Sequence, residues 1–138
     1  GRDDWLDLLM THLIQASLPA NRILMVFDYP ASQCALAKIR AGEPAVAERF
    51  ELFVGPLELA NGYHELVDAT EQRERFGRDL ATRQKRAAVQ PPVDERLLSG
   101  LAKLPACSGV ALGVDRLLMA MLGTEKIGDV IAFPFDRA

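Results

Sequence analysis

A chain of 138 residues is long enough for one domain with a sizeable core, and its formal net charge of −3 excludes the global basic field typical of nucleic-acid-binding proteins. Its two cysteines, Cys34 and Cys107, form no CxxC pair, which favours a reducing compartment over a disulfide framework. No apolar run reaches about 18 residues and no signal peptide is recognisable, so the sequence predicts a cytoplasmic location, with neither membrane insertion nor export.

Hydrophobic periodicity and turn residues divide the chain into helices and short strands. In chain order, the pattern predicts a helix over residues 3–17, a strand over 23–27 that is buried on both faces, a hairpin over 48–60, helices over 68–88 and 94–104, a strand over 110–114 and a helix over 115–122. Asp68 and Asp115 are the expected caps of two of these helices. We expect an α+β domain, in which an antiparallel sheet carries the active-site face and helices flank it on the other side.

A β-hairpin is predicted around Gly55 and Pro56, because glycine accepts the positive φ that a two-residue turn requires. With that turn, Phe53 lies opposite Glu58. Residues two apart in a strand share a face, so Glu51 projects from the same side as Glu58. The opposite face carries the residues expected in the core, namely Leu52, Val54, Leu57 and Leu59.

Glu65 follows Glu58 by seven residues, and strict alternation would place it on the apolar side of the hairpin. A bulge at Asn61-Gly62 would reverse the alternation and return Glu65 to the carboxylate face, where Ala60 and the bulge residues leave room for a ligand. Three carboxylates on one face repel each other unless a cation lies between them, and Mg²⁺ binds carboxylate and phosphate oxygens together. The alternative is a solvated polar face on a half-buried hairpin.

A second informative stretch is SGVALGVDRLLM, residues 108–119. The small residues Gly109, Ala111 and Gly113 alternate with branched apolar residues, so one face of this strand is nearly bare backbone, against which a flat ring can lie. Arg116 begins the following helix, where a guanidinium and the helix N-terminus both favour phosphate oxygens. Neither a Walker GxxxxGK nor a GxGxxG motif is present. Tight packing is the alternative explanation of the small residues.

These two stretches resemble a known family. GVALGVDRL is similar to motif 3 of the class II aminoacyl-tRNA synthetases, and RFELFVGPLELANGYHEL is similar to the lysyl branch of that class. The resemblance runs from about Phe27 to Phe133. PASQCALAKI, NGYHEL, CSGVALGVDRL and the final DRA resemble a closer subgroup, the bacterial lysyl-synthetase paralogues that lack an anticodon-binding domain and ligate β-lysine to a lysine of elongation factor P.

The resemblance implies a nucleotide half of the site. Glu51 and Glu58 would bind Mg²⁺ that bridges the ATP phosphates, and Arg116 would hold the γ-phosphate. The ATP ring would lie against the strand from Gly109 to Gly113. Arg116 and Glu58 are accordingly the expected catalytic residues.

The resemblance also implies an amino-acid half of the site. Glu65 would pair with the side-chain ammonium of lysine or β-lysine, and Asn61 and Tyr63 would line the pocket together with Gly109 and Ala111. The tRNA-charging enzymes usually have glycine at the position of Ala111, whose added methyl group would narrow the pocket near the substrate amine. His64 also replaces a small polar residue, with a surface or supporting role expected.

Motifs 1 and 2 of the class have no counterpart in this sequence. Residues 1–138 are therefore expected to be the C-terminal part of a class II catalytic core, inactive alone and belonging to a homodimer when intact. Three alternatives stay open: a lysyl-tRNA synthetase core that charges tRNA, a non-catalytic paralogue that senses an amino acid or nucleotide, and a purely structural module.

Overall fold

One antiparallel sheet of five strands organises the fold, which a computed structural model describes for residues 1–137. The strands are β1 (Ile23–Pro30), β2 (Ile39–Arg40), β3 (Val46–Val54), β4 (Leu57–His64) and β5 (Ser108–Leu112). They pair in the order β1-β3-β4-β5, and the short β2 also pairs with β3. The flanking helices are α1 (Arg2–Leu9), α2 (Ala69–Lys85), α3 (Glu95–Leu101) and α4 (Val114–Leu122). The predicted α+β class is confirmed.

Aspartate caps begin two of the helices. The side chains of Asp68 and Asp94 each accept hydrogen bonds from two backbone N–H groups in the first turn of α2 and α3. The prediction for α4 is wrong in detail, because Gly113 is its N-cap and Asp115 lies inside the first turn. None of the described helices is long and apolar enough to span a bilayer.

The β3–β4 hairpin has the predicted turn, with Phe53 opposite Glu58. One step further along, Leu52 is opposite Ala60, so Leu59 is the additional residue of a bulge. Leu59 is buried with 4% of its surface exposed, and the bulge therefore adds an apolar residue to the interior.

The bulge predicted at Asn61-Gly62 is wrong. Asn61 and Gly62 pair regularly with Glu51 and Phe50 of β3. A Cβ atom at Gly62 would overlap the ring of Phe50, so glycine is required there for cross-strand packing. Because the bulge lies at Leu59, Ala60 shares a face with Leu52, which is directly opposite it. That face is the one away from Glu51, so the prediction that Ala60 lies on the carboxylate face is wrong.

Part of the buried core lies on the carboxylate side of the sheet. Tyr29, Ala37 and Ala47 form a buried cluster, against which Val26, Cys34 and Tyr63 pack. Of the four residues expected in the core on the other face, only Leu59 is buried.

The strand β1 was expected to be buried on both faces, and this is wrong. Ile23, Met25 and Phe27, which alternate along its other face, are 54–70% exposed. Among the described residues, no helix covers these three side chains closely enough to bury them.

The N-terminal helical segment lies on the carboxylate side, contrary to the expectation that the helices occupy the other side. Its α-helix continues through a π turn and a 3₁₀ turn to Ser17. Leu6, Met10 and Ile14 line the same cavity as Glu51 and Glu58. This segment therefore forms one wall of the candidate site.

Candidate active site

The strand register brings the predicted site residues onto one face. Glu51 lies opposite Asn61, and Asn61 lies opposite Ala111 on the next strand. Tyr63 lies opposite Gly109 in the same way. Directly opposed residues of antiparallel strands share a face. The face thus carries the candidate carboxylate on β3, the candidate pocket residues on β4 and the small residues of β5.

Glu65 lies just beyond β4, where its residue forms an isolated bridge with Ala37. Its carboxylate occupies the space that a side chain at Gly109 would fill, because a Cβ atom there would overlap Oε1 of Glu65. Glu65 therefore reaches across the bare part of β5 on the face of Tyr63. Gly109 is needed for this approach of a carboxylate to the strand.

Arg116 lies beside Glu58. Its Nη1 donates a hydrogen bond to the backbone oxygen of Glu58 at 2.9 Å and is 3.8 Å from Oε2 of the same residue. Both side chains remain substantially exposed, at 50% and 37%. An ion pair this accessible to water is held weakly, so both groups are available to a charged ligand.

The carboxylate of Glu51 is engaged on both oxygens. The hydroxyl of Tyr29 donates to Oε2 at 2.7 Å, and Nη2 of Arg49 donates to Oε1. Burial is the main cause that raises the pKa of Tyr29 above its ordinary range, and the hydrogen bond to Glu51 and the charge of Glu51 raise it further. The tyrosine therefore keeps its proton and acts as a donor to Glu51.

Tyr29 and Arg49 are not predicted from the sequence, because neither is a carboxylate of the hairpin or a small residue of the glycine-containing strand. Arg49 lies two residues before Glu51 on β3, and the rule of alternation already places it on the carboxylate face. The positive charge that the acidic face requires is thus supplied within this chain, by Arg49 at Glu51 and by Arg116 at Glu58.

A cavity of about 380 Å³ lies against part of this face. It is lined by Tyr29, Arg49, Glu51 and Glu58 together with the N-terminal helical segment. The described residues contain no cluster of three or more His, Cys, Asp or Glu side chains able to hold a metal ion. Glu51 and Glu58 line this cavity together, and proteins often bind Mg²⁺ through one or two carboxylates together with substrate phosphates.

His64 faces away from this site. Its Nδ1 lies 2.5 Å from Oε2 of Glu48, and both alternate with the residues of the carboxylate face. The contact ties β4 to β3 on the other face of the sheet.

A family comparison decides between the interpretations of these motifs. The model for class II tRNA synthetases (D, K and N) matches residues 8–137. The chain belongs to this family. The resemblance that the two motifs indicated is therefore confirmed for nearly the whole of this class II synthetase chain.

Three similar curated proteins share the same name. The elongation factor P--(R)-beta-lysine ligases of Salmonella gallinarum, Salmonella agona and Salmonella enteritidis are each 49% identical to this class II synthetase chain over 138 residues. The match covers 99% of this chain and 42% of each relative. The chain thus spans less than half the length of the relatives that it matches.

Proposed function

We propose that residues 1–138 are the C-terminal part of the catalytic core of an ATP-dependent ligase that activates lysine or β-lysine and transfers it to a lysine of elongation factor P. The observation that carries this proposal is the 49% identity, along 99% of the chain, to proteins named as that ligase. Attachment to a translation factor would place the reaction in the cytoplasm. The intact protein would be a homodimer, as the class resemblance implies.

In this proposal, Glu58 and Arg116 form the nucleotide half of the site. Arg116, in the first turn of α4, holds the γ-phosphate through a guanidinium that is half exposed and already oriented by the backbone of Glu58. Glu51 and Glu58 would hold Mg²⁺, which supplies positive charge to the phosphates when it is bound. The ATP ring lies against the small-residue strand β5, which immediately precedes Gly113.

The amino-acid half of the site is built around Glu65. A carboxylate that crosses the bare backbone at Gly109 is well placed to pair with a substrate ammonium group. Asn61 and Tyr63 line the same face, and the hydrogen bond from Nδ2 of Asn61 to the hydroxyl of Tyr63 at 2.9 Å fixes their relative orientation. Ala111, directly opposite Asn61, narrows this part of the pocket.

The reaction consists of two steps. The substrate carboxylate attacks the α-phosphate of ATP, which forms an acyl-adenylate and releases pyrophosphate; an acceptor amine then attacks the acyl carbon and AMP leaves. Arg116 stabilises the negative charge that develops on the departing pyrophosphate. Glu65 holds the substrate in one orientation, which reduces the entropic cost of the first step.

A second candidate function is the charging of tRNA with lysine, because the matching family model describes synthetases specific for aspartate, lysine and asparagine. The two functions share the activation step and differ in the acceptor. An assay of the transfer step alone therefore shows whether the acceptor is the amine of a protein lysine or a ribose hydroxyl of tRNA.

The deciding experiment uses the full-length protein to which the proposal assigns this chain. Labelled lysine and β-lysine are each supplied with ATP and either elongation factor P, a variant of it with arginine at the acceptor lysine, or tRNA. We expect label on wild-type elongation factor P alone. Label on tRNA supports the second candidate. Binding of ATP and lysine without transfer to any acceptor would contradict both functions and indicate a sensing paralogue.

A further inference from the structure

Arg49 occupies the centre of the carboxylate face and is largely shielded from water, with 17% of its side chain exposed. Its guanidinium lies 4.4 Å from the centroid of the Tyr29 ring and 6.0 Å from that of the Tyr63 ring. Both distances allow a cation–π contact. The side chain is thus held between one aromatic ring from β1 and another from β4.

The donors of Arg49 reach three separate segments. Nη2 donates to Oε1 of Glu51, Nε donates to Oδ1 of Asn61 at 3.3 Å, and Nη1 donates to the backbone oxygen of Gln33 at 3.4 Å. A planar guanidinium can serve three acceptors in fixed directions, whereas an ammonium group is a single point charge. One side chain therefore connects β3, β4 and the segment that follows β1.

Each hydrogen bond of this network has a defined donor and acceptor. Tyr29 and Arg49 both donate to Glu51, whereas Asn61 accepts from Arg49 and donates through Nδ2 to the hydroxyl of Tyr63. Because that hydroxyl oxygen accepts, its proton remains available to an acceptor on a ligand. Arg49 is the member that touches both the proposed metal-binding carboxylate and the proposed amino-acid pocket.

We propose that Arg49 is a positioning residue that couples the two halves of the site, so that binding of the nucleotide at Glu51 and binding of the amino acid at Asn61 strengthen each other. A cation bound to an oxygen of Glu51 would compete with Arg49 for that carboxylate and would shift the guanidinium toward its remaining acceptors, Asn61 and the backbone of Gln33. Such a shift reaches Asn61 through a direct hydrogen bond. The coupling is reciprocal, since each ligand changes the affinity for the other by the same factor.

This inference rests on the proposed function, and its test separates the two. In the full-length protein, calorimetry measures the Kd of a non-hydrolysable Mg-ATP analogue and of lysine, each with and without the other. We expect each ligand to tighten the other by about tenfold in the wild type, within the usual range of coupling. In Arg49→Gln we expect the tightening to disappear, so that each ligand binds with the same Kd whether or not the other is present.

The variant Arg49→Lys keeps the charge, but its three donors share one nitrogen and cannot reach acceptors on three segments, so we expect it to lose the coupling as well. Arg40→Gln is the matched control, because Arg40 is also paired with carboxylates of this sheet region, at Asp28 and Glu48, but on the other face. This control is expected to retain wild-type coupling. Equal melting temperatures exclude misfolding, and if Arg49→Gln does not fold, Arg49→Lys alone decides.

Coupling that persists in the folded Arg49 variants, or its absence from the wild type, would overturn the role of Arg49 and leave the proposed function intact. A wild-type protein that binds neither Mg-ATP nor lysine would overturn the proposed function itself, and the role of Arg49 with it.

Discussion

Two small residues of β5 determine how much room the carboxylate face leaves for a ligand. The carboxylate of Glu65 occupies the space that a side chain at Gly109 would fill. Ala111, which has one methyl group, lies opposite Asn61. The bare face of this strand is therefore partly filled by a functional group from a neighbouring segment. Glycine and alanine in this strand are consequently not equivalent, although both are small.

Replacing Gly109 with alanine should displace Glu65, because the new Cβ atom would overlap its Oε1. In the full-length protein, we expect Gly109→Ala to raise the KM for lysine or β-lysine by about 10- to 100-fold, the range expected when a charged partner moves out of hydrogen-bonding distance. The KM for ATP should change much less, and initial-rate kinetics measure both. The control is Gly77→Ala on α2, where no atom lies within 4 Å of the added Cβ. An unchanged KM for the amino acid would contradict the placement of Glu65.

Tyr29 should make the stability of the fold sensitive to alkaline pH. In the unfolded chain a tyrosine loses its proton near pH 10, whereas burial and Glu51 raise the pKa of Tyr29 in the fold. Above about pH 10 the unfolded state therefore binds fewer protons than the folded state, and the free energy of unfolding falls as pH rises. Denaturation at steps between pH 8 and 11 should show a shallower decline for Tyr29→Phe than for the wild type. Parallel declines would show that Tyr29 does not contribute.

At the scale of elements, the sequence correctly predicts those features that depend on a few neighbouring residues. The turn at Gly55 set the pairing of Phe53 with Glu58, and Asp68 began α2, because turn chemistry and capping depend on a few adjacent residues. The predicted position of the bulge is wrong, because a glycine within a strand does not by itself mark a bulge. Gly62 instead makes room for the ring of Phe50 on another strand, a contact that depends on tertiary packing.

The candidate site residues divide in the same way. The sequence singles out the carboxylates and Arg116 because their motifs are specific, and it does not single out Arg49 because a single arginine in a strand carries no motif. Its importance follows from the two aromatic rings that flank it, Tyr29 and Tyr63, which come from different strands. The two rings lie on either side of Arg49 because the strands are ordered β1-β3-β4, and the alternation of residues within a strand does not predict that order.

The packing of Phe50 across Gly62 can be tested by stability. Because a Cβ atom would overlap the ring, Gly62→Ala should lower the free energy of unfolding by about 1–3 kcal/mol, the usual cost of overpacking. Replacing Phe50 with leucine in the same chain should recover part of this loss, since the two changes act on one contact. Denaturant unfolding of the single and double variants measures both effects. Gly100→Ala on α3, where the space is open, is the control. Additive losses would contradict the direct contact.

At the scale of the molecule, the chain exposes more surface than a compact protein of its size. Its accessible surface is 9913 Å², whereas a folded monomer of this size exposes about 7,100 Å². Part of the excess lies on the face of the sheet opposite the carboxylates, where Phe27 is 66% exposed and Val110 is 63% exposed. Exposed apolar surface on a sheet is typical of a face that contacts other protein. The curated relatives, with more than twice the length, have additional chain that could provide this contact.

These features predict that the activation step requires more than these 138 residues. In the proposed function, Arg116 and the glutamates provide one side of a nucleotide site, and catalysis requires that the elements carrying such a site be held in position by packing, which one face of this sheet lacks. We expect no lysine-dependent exchange of pyrophosphate into ATP above background for the chain alone, and clear exchange for the full-length protein. Circular dichroism and Mg-ATP calorimetry on the chain alone establish whether it is folded and binds nucleotide. Exchange by the chain within about tenfold of the full-length rate, a difference of only about 1.4 kcal/mol in the activation barrier, would show that the site is complete in these residues.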